Sequence, residues 1–239
     1  MKTLCEFTLY DHLTLTSAAF WAKEIRNDLV STIFNLIPAA EEAAFIKGLH
    51  GSRKILVVIA FEKPQVLEYL FRMSRAMLVE FDYTLIVCDN SKCRTTGVKE
   101  VCQAYGIPYL GLPRCNYTSH PNRSHGLAMS WVYQLIIRPC APDYFGFLDH
   151  DMFPVVPVGK LPCFEDVYGV HNGAFADYWS MWAGYCFFRF TNQPMNFLYD
   201  FSRGLDTGGR NWDGLYAHLK RETVTFASDT RVAVKLSTG

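Results

Sequence analysis

Residues 55–61 read ILVVIAF, a continuous run of apolar and mainly β-branched side chains. Such a run is typical of a strand that is buried on both faces of a parallel sheet. Pro64 follows in the position that the first turn of a helix favours, and residues 65–81 carry apolar side chains at helical spacing. We therefore predict a strand that is followed directly by a helix.

The alternation of strand and helix continues to residue 151. Further strands are predicted at residues 83–88, 107–110 and 144–148, and further helices at 97–105, where Gly106 ends the helix, and at 124–137. This order predicts βαβ units and a largely parallel sheet, so the expected fold class is α/β. Beyond residue 151 the pattern weakens, and only a strand at 181–190 and a helix at 212–221 are predicted.

Composition excludes several classes of protein. Lys and Arg together number 23, as do Asp and Glu, so a basic surface for nucleic acid or an anionic membrane is not expected. Eight cysteines occur singly, without the C-x-x-C spacing of a zinc site, which favours reduced thiols. The chain shows neither an apolar signal core at its start nor an apolar run of transmembrane length. We therefore expect a cytoplasmic protein.

Polar side chains follow three of the predicted strands. The first strand ends at Phe61 and is followed by Glu62, residues 89–91 read DNS after the second strand, and residues 149–151 read DHD after the strand at 144–148. Ligands of open parallel sheets bind beyond the carboxyl ends of the strands, which all lie at one edge. We therefore expect these residues to lie together in a site.

Asp149 and Asp151 are candidate ligands of a divalent cation. Two carboxylates one residue apart, where the chain leaves a strand, can both turn towards a ligand. Mg²⁺ that bridges phosphates is typically held by one or two carboxylates. A lone D-x-D motif is a weak signal, and a solvated turn is the alternative. The position directly after a strand favours the metal site.

Two other segments allow both a functional and a structural interpretation. Asp89 can accept hydrogen bonds from a base or a ribose hydroxyl, or it can simply form the turn after its strand. Arg123 and His125 lie where the start of a helix and a cation would meet a diphosphate. In the alternative interpretation, Ser124 caps the helix and both of these side chains are solvated.

Together these segments resemble the GT-A fold glycosyltransferases, of the family-2-like type. The matching segments are residues 55–61, 89–91, 122–128 and 149–151, in the order of the family, and the resemblance covers residues 54–190. It implies a Rossmann-like, mostly parallel sheet flanked by helices. It also implies a metal-dependent enzyme of the hexosyltransferase type, which transfers a sugar from a UDP- or GDP-linked donor to a hydroxyl of a glycan or another acceptor.

The resemblance further implies roles for individual residues. The contacts to the nucleotide sugar would be, in chain order, Phe61, Glu62, Asp89, Asn90, Ser91, Asn122, Arg123, His125, Gly126 and Asp149. The ligands of Mn²⁺ or Mg²⁺ would be Asp149 and Asp151. Residues 182–189, which read WAGYCFFR, resemble the small-residue strand beside the acceptor.

The general base has two candidates. Inverting members usually carry an acidic pair before a helix, whereas residues 205–215 offer only Asp206 and Asp213. Asp206 would reach the acceptor from a glycine-containing loop, and Asp213 would stand at the start of a helix, which positions a group better. We expect an inverting enzyme with Asp213, or alternatively Asp206, as its base.

The sequence predicts a chain of two parts. Apolar side chains at helical spacing in residues 17–25 and 37–49 predict a helical N-terminal extension at residues 1–52, and the glycosyltransferase domain covers residues 53–239. Its nucleotide-binding half would span 53–151 and its acceptor half 152–239. Two alternatives are a catalytically inactive module that binds a nucleotide sugar, and a nucleotidyltransferase. The sequence FEKP at residues 61–64 argues against the latter, because it lacks a glycine-rich, basic phosphate loop.

Overall fold

The structure is a computed structural model that describes residues 8–93, 97–114, 121–161, 166–175, 178–192, 197–199, 207–212 and 214–227. Within these ranges one six-stranded sheet has the order β3-β2-β1-β4-β6-β5. Its strands are β1 Lys54–Ala60, β2 Thr84–Asp89, β3 Tyr109–Gly111, β4 Tyr144–Asp149, β5 Val167–Phe175 and β6 Tyr178–Arg189.

The sheet is mixed but mostly parallel. The neighbouring strands β3, β2, β1 and β4 are parallel to one another. β6 is antiparallel to both of its neighbours, β4 and β5, so that β5 points in the same direction as the parallel strands. The predicted α/β class is confirmed. β6 matches the strand predicted at 181–190, whereas β5 had no predicted counterpart.

Helices precede and connect the strands. The helices are α1 Leu9–His12, α2 Leu15–Asn35, α3 Glu42–Gly48, α4 Pro64–Met77, α5 Val98–Tyr105 and α6 Pro121–Val132, which continues through a π-helical turn, Tyr133–Ile137, into α7 Arg138–Cys140. Pro64 begins α4, and Gly106 ends α5 in the left-handed conformation, as predicted. No helix in the described part of the chain combines the length and the apolar character needed to cross a membrane.

The sheet has a hydrophobic core on each face, because successive side chains of β1 point to opposite sides. Ile55 and Val57 pack into the core that contains α6. Leu56 and Val58 pack into the core that contains α4 and α5. Both faces of the central strand are therefore covered by helices, which explains why its sequence is apolar without interruption.

α2 and α3 pack on the α6 side of the sheet. Phe34 and Leu49 are buried in the same core as α6. The indole Nε1 of Trp131 donates a hydrogen bond of 2.9 Å to the carbonyl oxygen of Ile37. The segment predicted as an N-terminal extension therefore shares a core with the α/β sheet.

Three helix boundaries differ from the prediction: α6 begins at Pro121 rather than at residue 124, and the differences in α4 and α3 have identifiable reasons. α4 ends at Met77 rather than at residue 81, because Leu78 has extended backbone and forms a β-bridge with Val158. α3 begins at Glu42 rather than at residue 37, and the residue before Pro38 is disfavoured in helical conformation.

The prediction of a helix at residues 212–221 is wrong. The described residues there form short 3-10 helices, Gly209–Asn211, Tyr216–His218 and Arg221–Thr223. Tyr216 is fully buried, and its ring lies 5.1 Å from that of Trp179 on β6. The apolar side chains of this segment therefore pack into the core against the sheet, and this packing does not require a continuous α-helix.

Candidate functional site

The strand order of the sheet reverses between β1 and β4. From β1 the chain passes to β2 through α4 on one face, and it later reaches β4 on the other side of β1 through α6 on the opposite face. Such a reversal of strand order opens a crevice at the carboxyl ends of the strands, where open α/β sheets bind their ligands.

The three polar strand ends meet at this crevice. Asp89 is the register partner of Ala60, and Asp149 is the register partner of Ile59. The ends of β2 and β4 therefore flank the end of β1 at nearly the same level. The clustering that the parallel arrangement predicted is present, whereas the chemical roles of these residues remain predictions.

Asp89 is held by its own chain. The residue is buried, with 1% of its surface exposed. Its Oδ1 accepts a hydrogen bond of 2.9 Å from the amide of Ser91, and its Oδ2 accepts one of 2.8 Å from the hydroxyl of Tyr109. These bonds shape the turn after β2, which is the structural interpretation of this residue. A contact from Asp89 to a nucleotide remains a prediction.

Glu62 links the ends of β1 and β2. It has a φ of 50°, which is uncommon for a residue other than glycine. Its amide donates to the hydroxyl of Ser91 at 2.8 Å, and its Oε1 accepts from the amide of Lys92 at 3.1 Å. Phe61, just before it, is half-buried. Backbone strain of this kind clusters at ligand sites, and here hydrogen bonds between the two strand ends maintain it.

The start of α6 is tied to the same edge. The side-chain Nδ2 of Asn90 donates to the backbone carbonyl oxygen of Ser124 at 3.2 Å and to its hydroxyl at 3.0 Å. Ser124 therefore anchors the turn after β2 to α6 by hydrogen bonds, a contact that the sequence did not suggest. Asn122 is exposed, and Arg123 is half-buried.

His125 reaches the end of β4. Its Nε2 lies 3.7 Å from Oδ1 of Asp149, and both side chains are about a quarter exposed, at 27% and 23%. Gly126, the next residue, has a packing role, because a Cβ there would lie 2.7 Å from the carbonyl oxygen of Tyr199. The structure therefore brings His125 and Asp149 together, and it explains Gly126 without a ligand.

The residues after β4 form a tight turn. The amide of Met152 donates to the carbonyl oxygen of Asp149 at 3.1 Å. Asp151 is exposed, whereas His150 is partly buried, and its Nε2 has no hydrogen-bond partner among the described residues. Burial lowers the pKa of His150, although the charges of Asp151 and Asp149 oppose this effect. The turn thus carries two carboxylates and an imidazole that favours the neutral form.

Gly184 on β6 makes room for Asp149. A Cβ at this position would overlap Oδ2 of Asp149 and lie 2.5 Å from Cζ2 of Trp182. Sequence reasoning recognised the small-residue character of residues 182–189 but did not connect Gly184 with Asp149. That connection requires the antiparallel pairing of β6 with β4.

Asp149 and Asp151 are candidate ligands for a cation that would be shared with a phosphate. No group of three or more His, Cys, Asp or Glu side chains in the described ranges is arranged to hold a metal ion. A preformed cage of protein ligands is therefore not present there. Mg²⁺ in phosphate sites needs only one or two carboxylates, with phosphate oxygens and water completing its shell. Asp149 and Asp151 would provide that donor set, since carboxylate oxygens are the ligand type that such a hard cation prefers.

Both candidates for the general base, Asp206 and Asp213, lie outside the described residues. The described residues between them pack against the rest of the fold. A Cβ on Gly208 would lie 2.9 Å from the carbonyl oxygen of Met181, and the ring of Trp212 lies 4.9 Å from that of Tyr178. The chain next to both candidates therefore contacts β6, the strand that carries Gly184.

Comparison with known proteins found no protein-family model that matches this chain and no significant similarity to a curated sequence.

Proposed function

We propose that the protein is a metal-dependent glycosyltransferase with a GT-A-like fold, which transfers a sugar from a nucleotide-diphosphate donor to an acceptor hydroxyl. One observation carries the proposal. The ends of β1, β2 and β4 lie side by side, and His125 of α6 approaches Asp149 at that edge. A switch-point crevice with carboxylates on one side and the start of a helix on the other is suited to a nucleotide diphosphate.

The two sides of the crevice would have different tasks. Arg123 and His125, near the start of α6, would stabilise the negative charge that develops on the leaving diphosphate. Asp149 and Asp151 would hold Mn²⁺ or Mg²⁺, which when bound supplies Lewis-acid stabilisation to the phosphate oxygens. The ends of β1 and β2, held together through Glu62 and Ser91, would form the rigid wall against which the nucleoside lies.

The acceptor side of the reaction requires a base. The anomeric carbon would acquire oxocarbenium character as the bond to the diphosphate breaks. In the inverting version, the carboxylate of Asp213 or of Asp206 would accept the proton of the attacking hydroxyl. Both residues adjoin segments that pack on β6, which runs beside the end of β4. This proximity is what supports assigning the base to that segment.

Thermal unfolding with nucleoside diphosphates tests the proposal. UDP or GDP with Mn²⁺ should stabilise the protein by about 2.7 kcal/mol at a hundredfold excess over Kd. Asp151→Ala should abolish the contribution of Mn²⁺ without unfolding the protein, because this side chain is exposed. Glu68→Ala, which removes an exposed carboxylate of α4, is the matched control and should behave as the wild type.

The outcomes separate the proposal from its alternatives. Full Mn²⁺ dependence in Asp151→Ala would contradict the metal assignment. Binding of UDP-sugars without release of UDP in the presence of diverse acceptors would indicate an inactive binding module. Release of pyrophosphate from a nucleoside triphosphate and a sugar phosphate would indicate a nucleotidyltransferase.

A further inference from the structure

A cavity of about 720 Å³ opens beside the end of β4, on the face of the sheet that carries α4. It lies between the last turns of α4 and the segment that follows the D-x-D turn. The amide of Val79 donates to the carbonyl oxygen of Val158 at 3.1 Å, and the amide of Val158 donates to that of Met77 at 2.7 Å. These bonds hold the segment against the end of α4, so the cavity has defined walls.

The cavity extends along the sheet away from the crevice. Asp149 and Asp151 line it at the carboxyl end of β4, whereas Leu56 lines it near the start of β1. Leu56 is the register partner of Gly146, three residues before Asp149. At a rise of about 3.3 Å per residue, these two levels are about 10 Å apart. The cavity is therefore long enough for an extended chain of several carbon atoms.

The two ends of the cavity differ in polarity. Its carboxylates are confined to the D-x-D turn, and most of the remaining lining is apolar, including Leu78, Leu85 and Phe187. The apolar surface continues to the mouth, where Val156 is 60% exposed and Phe81 is 37% exposed. A volume of this size falls in the range of small-molecule sites, and apolar walls with a few polar groups at one end are their usual construction.

We propose that this cavity binds the apolar part of an amphiphilic acceptor, whose hydroxyl group lies towards Asp149 and Asp151. The inference rests on the proposed glycosyl transfer, since the acidic end of the cavity opens at the candidate donor site. The acceptor of the proposed reaction carries a hydroxyl, and this polar group would lie at the end of the cavity that Asp149 and Asp151 line. Its hydrocarbon part lies along Leu78 and leaves the protein past Val156.

Displacement of a fluorescent apolar dye tests the proposal without nucleotide or turnover. The neutral dye N-phenyl-1-naphthylamine should bind the full chain, and primary alcohols from hexanol to dodecanol should displace it. If the hydrocarbon part is buried, each added methylene should tighten the binding of the alcohol about fourfold. An affinity that does not depend on chain length would overturn the proposal.

Two variants locate the binding site. Val156→Asp places a charge at the mouth of the cavity and should weaken dye and dodecanol binding by at least tenfold. Val79→Asp is the matched control, because Val79 is 72% exposed but does not line the cavity, and it should leave both affinities unchanged. Both positions are exposed, so equal melting temperatures are expected. Equal dye affinity in the two variants would overturn the assignment.

Binding of UDP or GDP with Mn²⁺ to the same variants distinguishes this inference from the proposed function. If the Val156→Asp variant loses alcohol binding but keeps nucleotide binding, the result supports both the cavity inference and the proposed function. Alcohol binding without any nucleotide binding in the wild type would refute the acceptor role together with the proposed function. Nucleotide binding without alcohol binding would refute the cavity inference alone.

Discussion

Gly184→Ala is expected to disturb the candidate metal site through a single methyl group. The added Cβ would overlap Oδ2 of Asp149 and press on the ring of Trp182. Overpacking of a well-filled site costs about 1–3 kcal/mol. The backbone of Gly184 does not have a positive φ, so alanine itself would otherwise stabilise the chain by about 0.4–1 kcal/mol. We therefore expect a net loss of about 1–2 kcal/mol in the free energy of unfolding.

This loss corresponds to a fall of about 2–8 °C in Tm for a domain of this size. The control is Gly159→Ala, because a Cβ there would meet no atom within 4 Å and its φ is not positive. Its Tm should be unchanged or slightly raised. Displacement of the Asp149 carboxylate should also weaken Mn²⁺-dependent binding of UDP or GDP at least tenfold, a change of about 1.4 kcal/mol.

A double-mutant cycle assigns the effect to Asp149. In the Asp149→Ala background, Gly184→Ala should cost at least about 0.5 kcal/mol less than in the wild type, because one of the two clashes is gone. Thermal unfolding of the four proteins measures this coupling. Wild-type Tm and wild-type nucleotide affinity in Gly184→Ala would refute the reasoning. Additive effects in the cycle would show that Trp182 alone opposes the methyl group.

Two further predictions concern buried thiols and the base. Burial raises the pKa of Cys102 and that of Cys186 to about 12. In the unfolded chain these thiols ionise near pH 8.5, whereas in the folded protein they stay protonated to higher pH. The free energy of unfolding is therefore unaffected by them below pH 8.5 and falls above it, by about 1.4 kcal/mol per thiol at pH 9.5. Denaturant unfolding should show that Cys186→Ala reduces this loss, whereas Cys93→Ser, at an exposed position, leaves it unchanged. Asp213→Asn or Asp206→Asn should lower kcat by about 10² to 10⁴ with little change in donor binding. If both variants turn over as fast as the wild type, neither residue is the base.

The local sequence pattern was sufficient to predict three of the parallel strands. Strands β1, β2 and β4 were predicted within one residue at each end, because each is a short apolar run buried on both faces. Pro64 and Gly106 marked helix ends through their own backbone preferences. The meeting of Asp89 and Asp149 at one edge followed from parallel pairing alone. The sequence by itself therefore determined the α/β class and the edge at which to look for a site.

Long-range contacts decided the rest. α4 stops at Met77 because Leu78 pairs with Val158, which is eighty positions away in the sequence. Asp89 bonds to Tyr109, which is brought beside it by the pairing of β2 with β3, and Gly184 meets Asp149 only because β6 is antiparallel to β4. No local preference encodes these partners, since each depends on which strand lies next to which. Only the tertiary structure therefore decided how the site residues are held.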